Sequence, residues 1–183
     1  QVMNGYLGNQ SATNKVLDKD GWFNTGDLGM LLPDGSVVLT GRSKDTIVLS
    51  TGENIEPGPL EAALVANPLI EQVMMVGQDQ KKLAVLLVPK KENLLIWANE
   101  QGLNLKEEDL LGSKVSVDLR KLLSREINNM LSSRKGSRKD ERVFDVTIVE
   151  PFTVENGLLT QTLKQRREKI YQRDFQAIAA MYE

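Results

Sequence analysis

Half of the chain's glycines lie in its first 41 residues, 7 of 14, and this uneven placement is the strongest constraint on the fold. Glycine and turn residues punctuate residues 1–41 so often that this stretch reads as short strands joined by tight turns, with no helical unit. Asp18-Lys19-Asp20-Gly21 is one turn. Pro33-Asp34-Gly35-Ser36 is a second, set between the apolar runs 28–32 and 37–40 as in a hairpin. An isolated two-stranded ribbon is marginal in water, so this segment is expected to pack on structure upstream. Gln1 stands in mid-pattern, without a starting Met or a signal peptide, and the chain is expected to be a piece of something longer.

From Gly41 onward the texture becomes that of a compact domain. Residues 45–50 form a short strand through Ile47, Val48 and Leu49, residues 51–54 a loop, and Pro57 opens a helix that ends near Ala66, before Asn67-Pro68. The short apolar runs 73–76 and 83–88, separated by a polar turn, predict a buried antiparallel pair. Helical spacing follows in residues 92–100 and 117–132, the latter with Leu119, Leu122, Leu123, Ile127, Met130 and Leu131 on one face. With seven charged residues of nine, residues 134–142 read as a solvated loop. Phe144, Val146 and Ile148 alternate with polar neighbours as a further strand, and residues 164–182 read as one closing amphipathic helix facing inward through Ile170, Phe175 and Ile178. The expected class is α+β: a small mixed sheet flanked by helices, preceded by a β-rich tail. Trp22, Phe23 and Trp97 are read as packing residues.

The chain contains no cysteine and no histidine. Disulfides, thiolate zinc sites, a Cys nucleophile and a Ser-His triad are excluded, and chemistry must rest on Lys, Arg, carboxylates, hydroxyls or backbone. A net charge of −2 with 26% charged residues argues against a nucleic-acid binder. No apolar run reaches the roughly 18–20 residues of a membrane span, so a cytoplasmic protein is expected. Any peripheral membrane contact is assigned to the part upstream.

Three clusters carry chemistry. In Gly21-Trp22-Phe23-Asn24-Thr25-Gly26-Asp27, Asp27 is an acceptor on a tight loop, suited to a diol such as ribose; equally, a turn aspartate can serve local amides. The second cluster is Gly41-Arg42-Ser43-Lys44-Asp45-Thr46-Ile47, leading into Ser50-Thr51-Gly52-Glu53-Asn54-Ile55-Glu56-Pro57. The third is Asn156-Gly157-Leu158-Leu159-Thr160-Gln161-Thr162-Leu163-Lys164, continuing to Arg167. Taken alone, Lys164 would be a solvated charge in a basic helical turn.

In this order and spacing the clusters resemble those of adenylate-forming enzymes: acyl-CoA synthetases, luciferases and adenylation domains of peptide synthetases. The resemblance covers nearly the whole chain. It implies a domain plan of residues 1–41 as the tail of a large adenylating domain, 42–46 as hinge and 47–183 as the mobile C-terminal domain. Asp27 and Arg42 would hold the ribose of ATP, Lys44 would be the hinge, Thr51, Gly52 and Glu53 would line the path of the thiol substrate, and Lys164 would be the catalytic lysine. Most members place a glycine before that lysine; Leu163 stands there here. The Asn-Gly-Leu-Leu-Thr run is similar to the long-chain fatty acyl subgroup, which implies fatty acid, ATP and either coenzyme A or acyl carrier protein as substrates. A Mg2+ ligand is expected upstream. Two alternatives stay open: a non-catalytic interaction module that retains the fold, and an adenylating enzyme for a non-fatty acid. Lys81-Lys82 and Lys90-Lys91 are read as solvated, with docking of an acidic carrier protein as a further option.

Overall fold

The computed structural model describes residues 2–110 and 115–183; the plan's boundary at Gln1 lies outside them. The chain divides into two compact units, Gln1–Lys44 and Asp45–Glu183.

The first unit opens with a helix that the turn-rich reading did not anticipate, α1 (Gln10–Val16). Asn9 caps it, its Oδ1 accepting from the Ala12 amide at 2.9 Å, and such a cap satisfies an otherwise orphaned donor. Thr13 is buried and ties the helix back to the preceding loop, accepting from the Tyr6 amide at 2.9 Å. The Asp18 turn forms as expected, with the Asp18 carboxylate accepting from the amides of Asp20 and Trp22. Strands β1 (Asp27–Leu31) and β2 (Val37–Arg42) then make the antiparallel hairpin. At its tip Asp34 accepts from both the hydroxyl and the amide of Ser36, which holds its carboxyl below the usual carboxylate range. A ribbon of this size encloses no core: Leu31 and Leu39 are 72% and 71% exposed. Trp22, expected to pack, is 76% exposed within the chain.

The second unit is built on a three-stranded sheet. Its elements in order are β3 (Ile47–Val48), β4 (Asn54–Ile55), α2 (Pro57–Val65), β5 (Ile70–Val76), β6 (Leu83–Pro89), α3 (Lys91–Glu100), α4 (Val117–Ser133), β7 (Val143–Ile148), α5 (Arg167–Arg173) and α6 (Phe175–Tyr182). β3 and β4 pair as a minimal ribbon. β5 runs antiparallel to β6, and β7 runs parallel to it, so β6 is central and buried along its whole length. A strand covered on both faces carries a continuous apolar run, and here successive residues feed two cores. Leu83, Val85 and Leu87 meet Leu60 and Leu64 of α2 and Leu119, Leu123 and Ile127 of α4. Ala84, Leu86 and Val88 meet Phe152, Ile170, Ile178 and Met181. This mixed sheet flanked by helices is the α+β arrangement expected from the sequence. None of the helices among the described residues is long and apolar enough to cross a membrane.

Three details depart from the sequence pattern. Register shifts where Leu83 pairs with Val143 but Ala84 with Asp145, so Val143, not Phe144, joins Val146 and Ile148 in the core. Phe144 instead lies 37% exposed, its ring centroid 5.2 Å from that of Tyr182. Burial pushes the Tyr182 phenol well above its ordinary pKa, and its hydroxyl serves the carbonyls of Val76 and Lys82. The closing helix is also two helices. Asp174, at φ −100° and ψ 16°, ends α5 and precedes α6, and its carboxylate is gripped by Arg173; Phe175 turns outward and Met181 fills the core. Residues 134–142, finally, are pinned. Arg134 pairs with Glu141 at 3.2 Å, and Arg138 donates to the Asn54 carbonyl at 2.9 Å.

Candidate functional site

In the first unit, β-pairing decides the geometry. The hairpin register sets Asp27 opposite Arg42, residues 15 positions apart in sequence, and Arg42 Nε donates to Asp27 Oδ1 at 2.9 Å. Gly26 (φ +73°) makes the preceding bend in the left-handed region that glycine enters without steric cost. Its carbonyl accepts from the Ser43 amide at 2.9 Å, closing the end of the ribbon. The Asp27 amide goes to Thr25 Oγ1 at 3.0 Å, so the local amide is served by the threonine. The Asp27 side chain is 30% exposed and that of Arg42 61% exposed: together they form an accessible acceptor and donor pair.

Lys44 is exposed in the turn that follows β2, and the division into two compact units falls between it and Asp45. In the second unit, Thr46 donates to Glu56 at 2.7 Å. Residues 49–53 form a tight loop, the Leu49 amide bonding to the Glu53 carbonyl and the Gly52 amide to the Leu49 carbonyl, each at 2.9 Å. Thr51, Gly52 and Glu53 are all exposed. Gly52 has φ +88°, and open space lies where a Cβ would be, so the loop offers bare backbone to an approaching chain.

Lys164 stands on a hairpin of its own. The Thr160 amide donates to the Lys164 carbonyl at 2.9 Å, the Lys164 amide to Thr160 Oγ1 at 3.1 Å, and Leu159 bridges to Gln165. The Lys164 side chain is exposed. Leu163 sits at φ +60° and is 70% exposed. A left-handed residue with a side chain costs roughly 1–2 kcal/mol, which gives a backbone reason for glycine to be the commoner residue at this point. Leu163→Gly is therefore expected to raise the unfolding free energy by about 1 kcal/mol, read from denaturant midpoints at unchanged m-value. A lower midpoint would show that the leucine side chain contributes more than its conformation costs.

Two side chains fasten this hairpin to the edge strand. Gln165 Nε2 donates to the Val73 carbonyl at 2.9 Å. Arg167 donates to the Met75 carbonyl at 2.6 Å and to Glu61 Oε1 at 2.7 Å, while that same oxygen accepts from the Met75 amide at 2.7 Å. Arg167 and Glu61 are only 19% and 16% exposed. Arg167 closes the third motif cluster; its pairing with Glu61, 106 positions away, could not be read from the sequence. Among the described residues no group of three or more Asp, Glu, Cys or His could hold a metal ion.

Residues 44–110 match the family described as AMP-binding enzyme, C-terminal domain. Across its full length the chain is 38% identical to the chloroplastic long-chain-fatty-acid:acyl-carrier-protein ligase AEE15 of Arabidopsis thaliana, covering 24% of that protein. Residues 44–110 thus carry the C-terminal domain of an AMP-binding enzyme. It is also 34% identical to human long-chain-fatty-acid:CoA ligase 1, over 92% of this chain and 24% of that one. Among solved structures, the A domain of carboxylic acid reductase from Segniliparus rugosus, bound to AMP and a carboxylic acid, matches 99% of the chain with a TM-score of 0.82 and 26% identity, again over 26% of its own length. The chain thus spans about a quarter of the length of the relatives it matches.

Proposed function

We propose that this chain is the C-terminal part of an ATP-dependent long-chain fatty acid ligase, comprising the end of the large domain, the hinge and the mobile domain. The observation that carries the proposal is the 38% identity to a long-chain-fatty-acid ligase along the whole chain, with Asp27, Arg42 and Lys164 all in place. In the reaction, a fatty acid carboxylate oxygen attacks the α-phosphorus of ATP and pyrophosphate departs. A thiol then attacks the acyl carbonyl and AMP departs. The acceptor is coenzyme A or acyl carrier protein, one for each of the two ligases compared above.

The chain's own residues divide the labour. Asp27 and Arg42 hold the ribose hydroxyls, which fixes the nucleotide. Lys164 brings a compact positive charge to the α-phosphate and entering carboxylate, where negative charge is concentrated in the transition state. Lys44, where the two compact units meet in sequence, absorbs the backbone rotation between an adenylating and a thiol-transferring pose. The 51–53 loop, with Gly52 bare, lines the path of the thiol-bearing arm. Magnesium and the principal phosphate loop are assigned to parts outside this chain, as is any membrane contact; we place the reaction in an aqueous compartment.

The test measures the two half-reactions of the intact enzyme apart. Exchange of pyrophosphate into ATP should require a long-chain fatty acid, transfer should follow when a thiol is supplied, and the isolated 183 residues should support neither. Lys44→Pro should slow transfer more than exchange, since proline fixes its own φ and restricts its predecessor. Exchange driven equally well by short or aromatic acids would rule out the fatty-acid assignment, and exchange by the isolated chain would rule out the division into parts.

A further inference from the structure

Between α4 and the start of β7 lies an open cleft of about 820 Å³ lined by Lys82, Arg120, Lys121, Arg125 and Arg142, against a single carboxylate, Asp145. Arg120 already engages that carboxylate, through Nε at 3.1 Å and through Nη2. Four cations are left, and none has an ion-pair partner among the described residues. This is an unusual concentration in a chain whose net charge is −2. Some basic side chains of this unit are paired within the fold, Arg134 with Glu141, Arg167 with Glu61 and Arg173 with Asp174, whereas these four lie together on one open surface. Lys121 and Arg125 stand four residues apart on α4, a like-charge spacing that disfavours the helix slightly. An acidic partner would relieve that repulsion.

The shape and chemistry of the cleft indicate which anion. It continues past Asn128, Asn129 and Arg142 into a second open cleft of about 370 Å³, so the surface is a trough rather than a pocket for one compact ligand. It offers no aromatic face for a base to stack on: the one ring at its rim, Phe144, packs against Tyr182 and lies under Lys82 Nζ, 5.9 Å from the ring centroid. Nucleotides and single-stranded nucleic acid are poorly matched to such a surface. We propose that the α4–β7 trough docks the acidic face of a protein partner. Resting on the function proposed above, that partner is the acyl carrier protein that presents the thiol. Of the four lysines considered from the sequence, Lys82 alone lines the trough, whereas Lys91 is held by Glu107 at 2.9 Å, which raises its pKa.

The test uses the intact enzyme with Lys121→Glu and Arg125→Glu combined, both being exposed on α4, and Lys121→Ala with Arg125→Ala as the neutral control. At low salt the KM for holo acyl carrier protein should rise about tenfold or more on charge reversal and less on neutralisation, with the difference shrinking at high salt as the Debye length contracts. Fatty-acid-dependent pyrophosphate exchange should be unchanged. An unchanged KM for carrier protein overturns the proposal. So does a rise confined to the KM for coenzyme A, which would assign the trough to nucleotide phosphates. If the wild-type enzyme forms no acyl-adenylate, the functional proposal has failed by itself. Docking is then read by calorimetric titration of holo acyl carrier protein: binding that is salt-sensitive and lost on charge reversal supports the trough, and binding equal in wild type and variant, or absent from both, refutes it.

Discussion

Lys164→Ala in the intact enzyme is expected to lower the rate of acyl-adenylate formation by about 10³-fold, with transfer of the acyl group from supplied acyl-adenylate to a thiol nearly unchanged. The size follows from what the lysine is asked to do. The carboxylate is already ionised and needs no base, so the barrier lies in bringing an anion onto a polyanionic phosphate. Removing one preorganised group aimed at the developing charge costs about 10²–10³ in rate, or roughly 3–4 kcal/mol, and a full positive charge belongs at the upper end. Folding should be unaffected, because the side chain is exposed and the hairpin is held by the Lys164 backbone and by Thr160, not by the ammonium group. The measurement is single-turnover adenylation beside single-turnover transfer. Equal losses in both would show that Lys164 acts in a step common to the two poses, and the division of labour would have to be abandoned.

Where hydrophobic period and turn chemistry act locally, the sequence was a good guide: β5 and β6, α2 behind Pro57, α4 with its apolar face, and the Asp34-Gly35 hairpin all form as the pattern implies. Features decided by one side chain or by distant contacts were not legible. Helix α1 depends on Asn9 acting as a cap, which a turn-rich background concealed. Phe144 fits the alternation of a strand, yet a register shift against β6 moves Val143 into its place in the core. The break between α5 and α6 rests on Asp174, held by a neighbouring arginine within an otherwise continuous apolar period. For the candidate site the contrast is similar. Asp27 and Arg42 are readable as a pair once the hairpin between them is recognised, because antiparallel register sets them opposite. The anchoring of the Lys164 hairpin is not readable, since Arg167 finds its partners on α2 and β5, far away in sequence.

That anchoring leads to the second large effect expected, for Arg167→Ala. The guanidinium joins three elements, with Glu61 on α2, the Met75 carbonyl on β5 and its own position at the head of α5, three residues beyond Lys164. Removing it leaves the Glu61 carboxylate holding the Met75 amide without a countercharge. Breaking one side of a fully buried pair costs about 3–5 kcal/mol; with both side chains slightly exposed, screening brings the expected loss to about 2–3 kcal/mol. Catalysis should suffer separately. A reacting group displaced by about 1 Å can lose about 10²-fold in rate, so Lys164 in a loosened hairpin should show a lower kcat for adenylation at little-changed KM for ATP, with thiol transfer spared. Arg167→Lys restores charge but not the two-pronged geometry, and should recover more stability than adenylation rate. Glu61→Gln supplies the other arm of the comparison: it keeps a side-chain oxygen for the Met75 amide while removing the negative charge that Arg167 faces. If Arg167→Ala, assayed where it is fully folded, adenylates at the wild-type rate, Arg167 is a stabilising residue only. If instead the three variants lose adenylation in proportion to how far each frees the hairpin, Arg167 is the residue that positions the lysine.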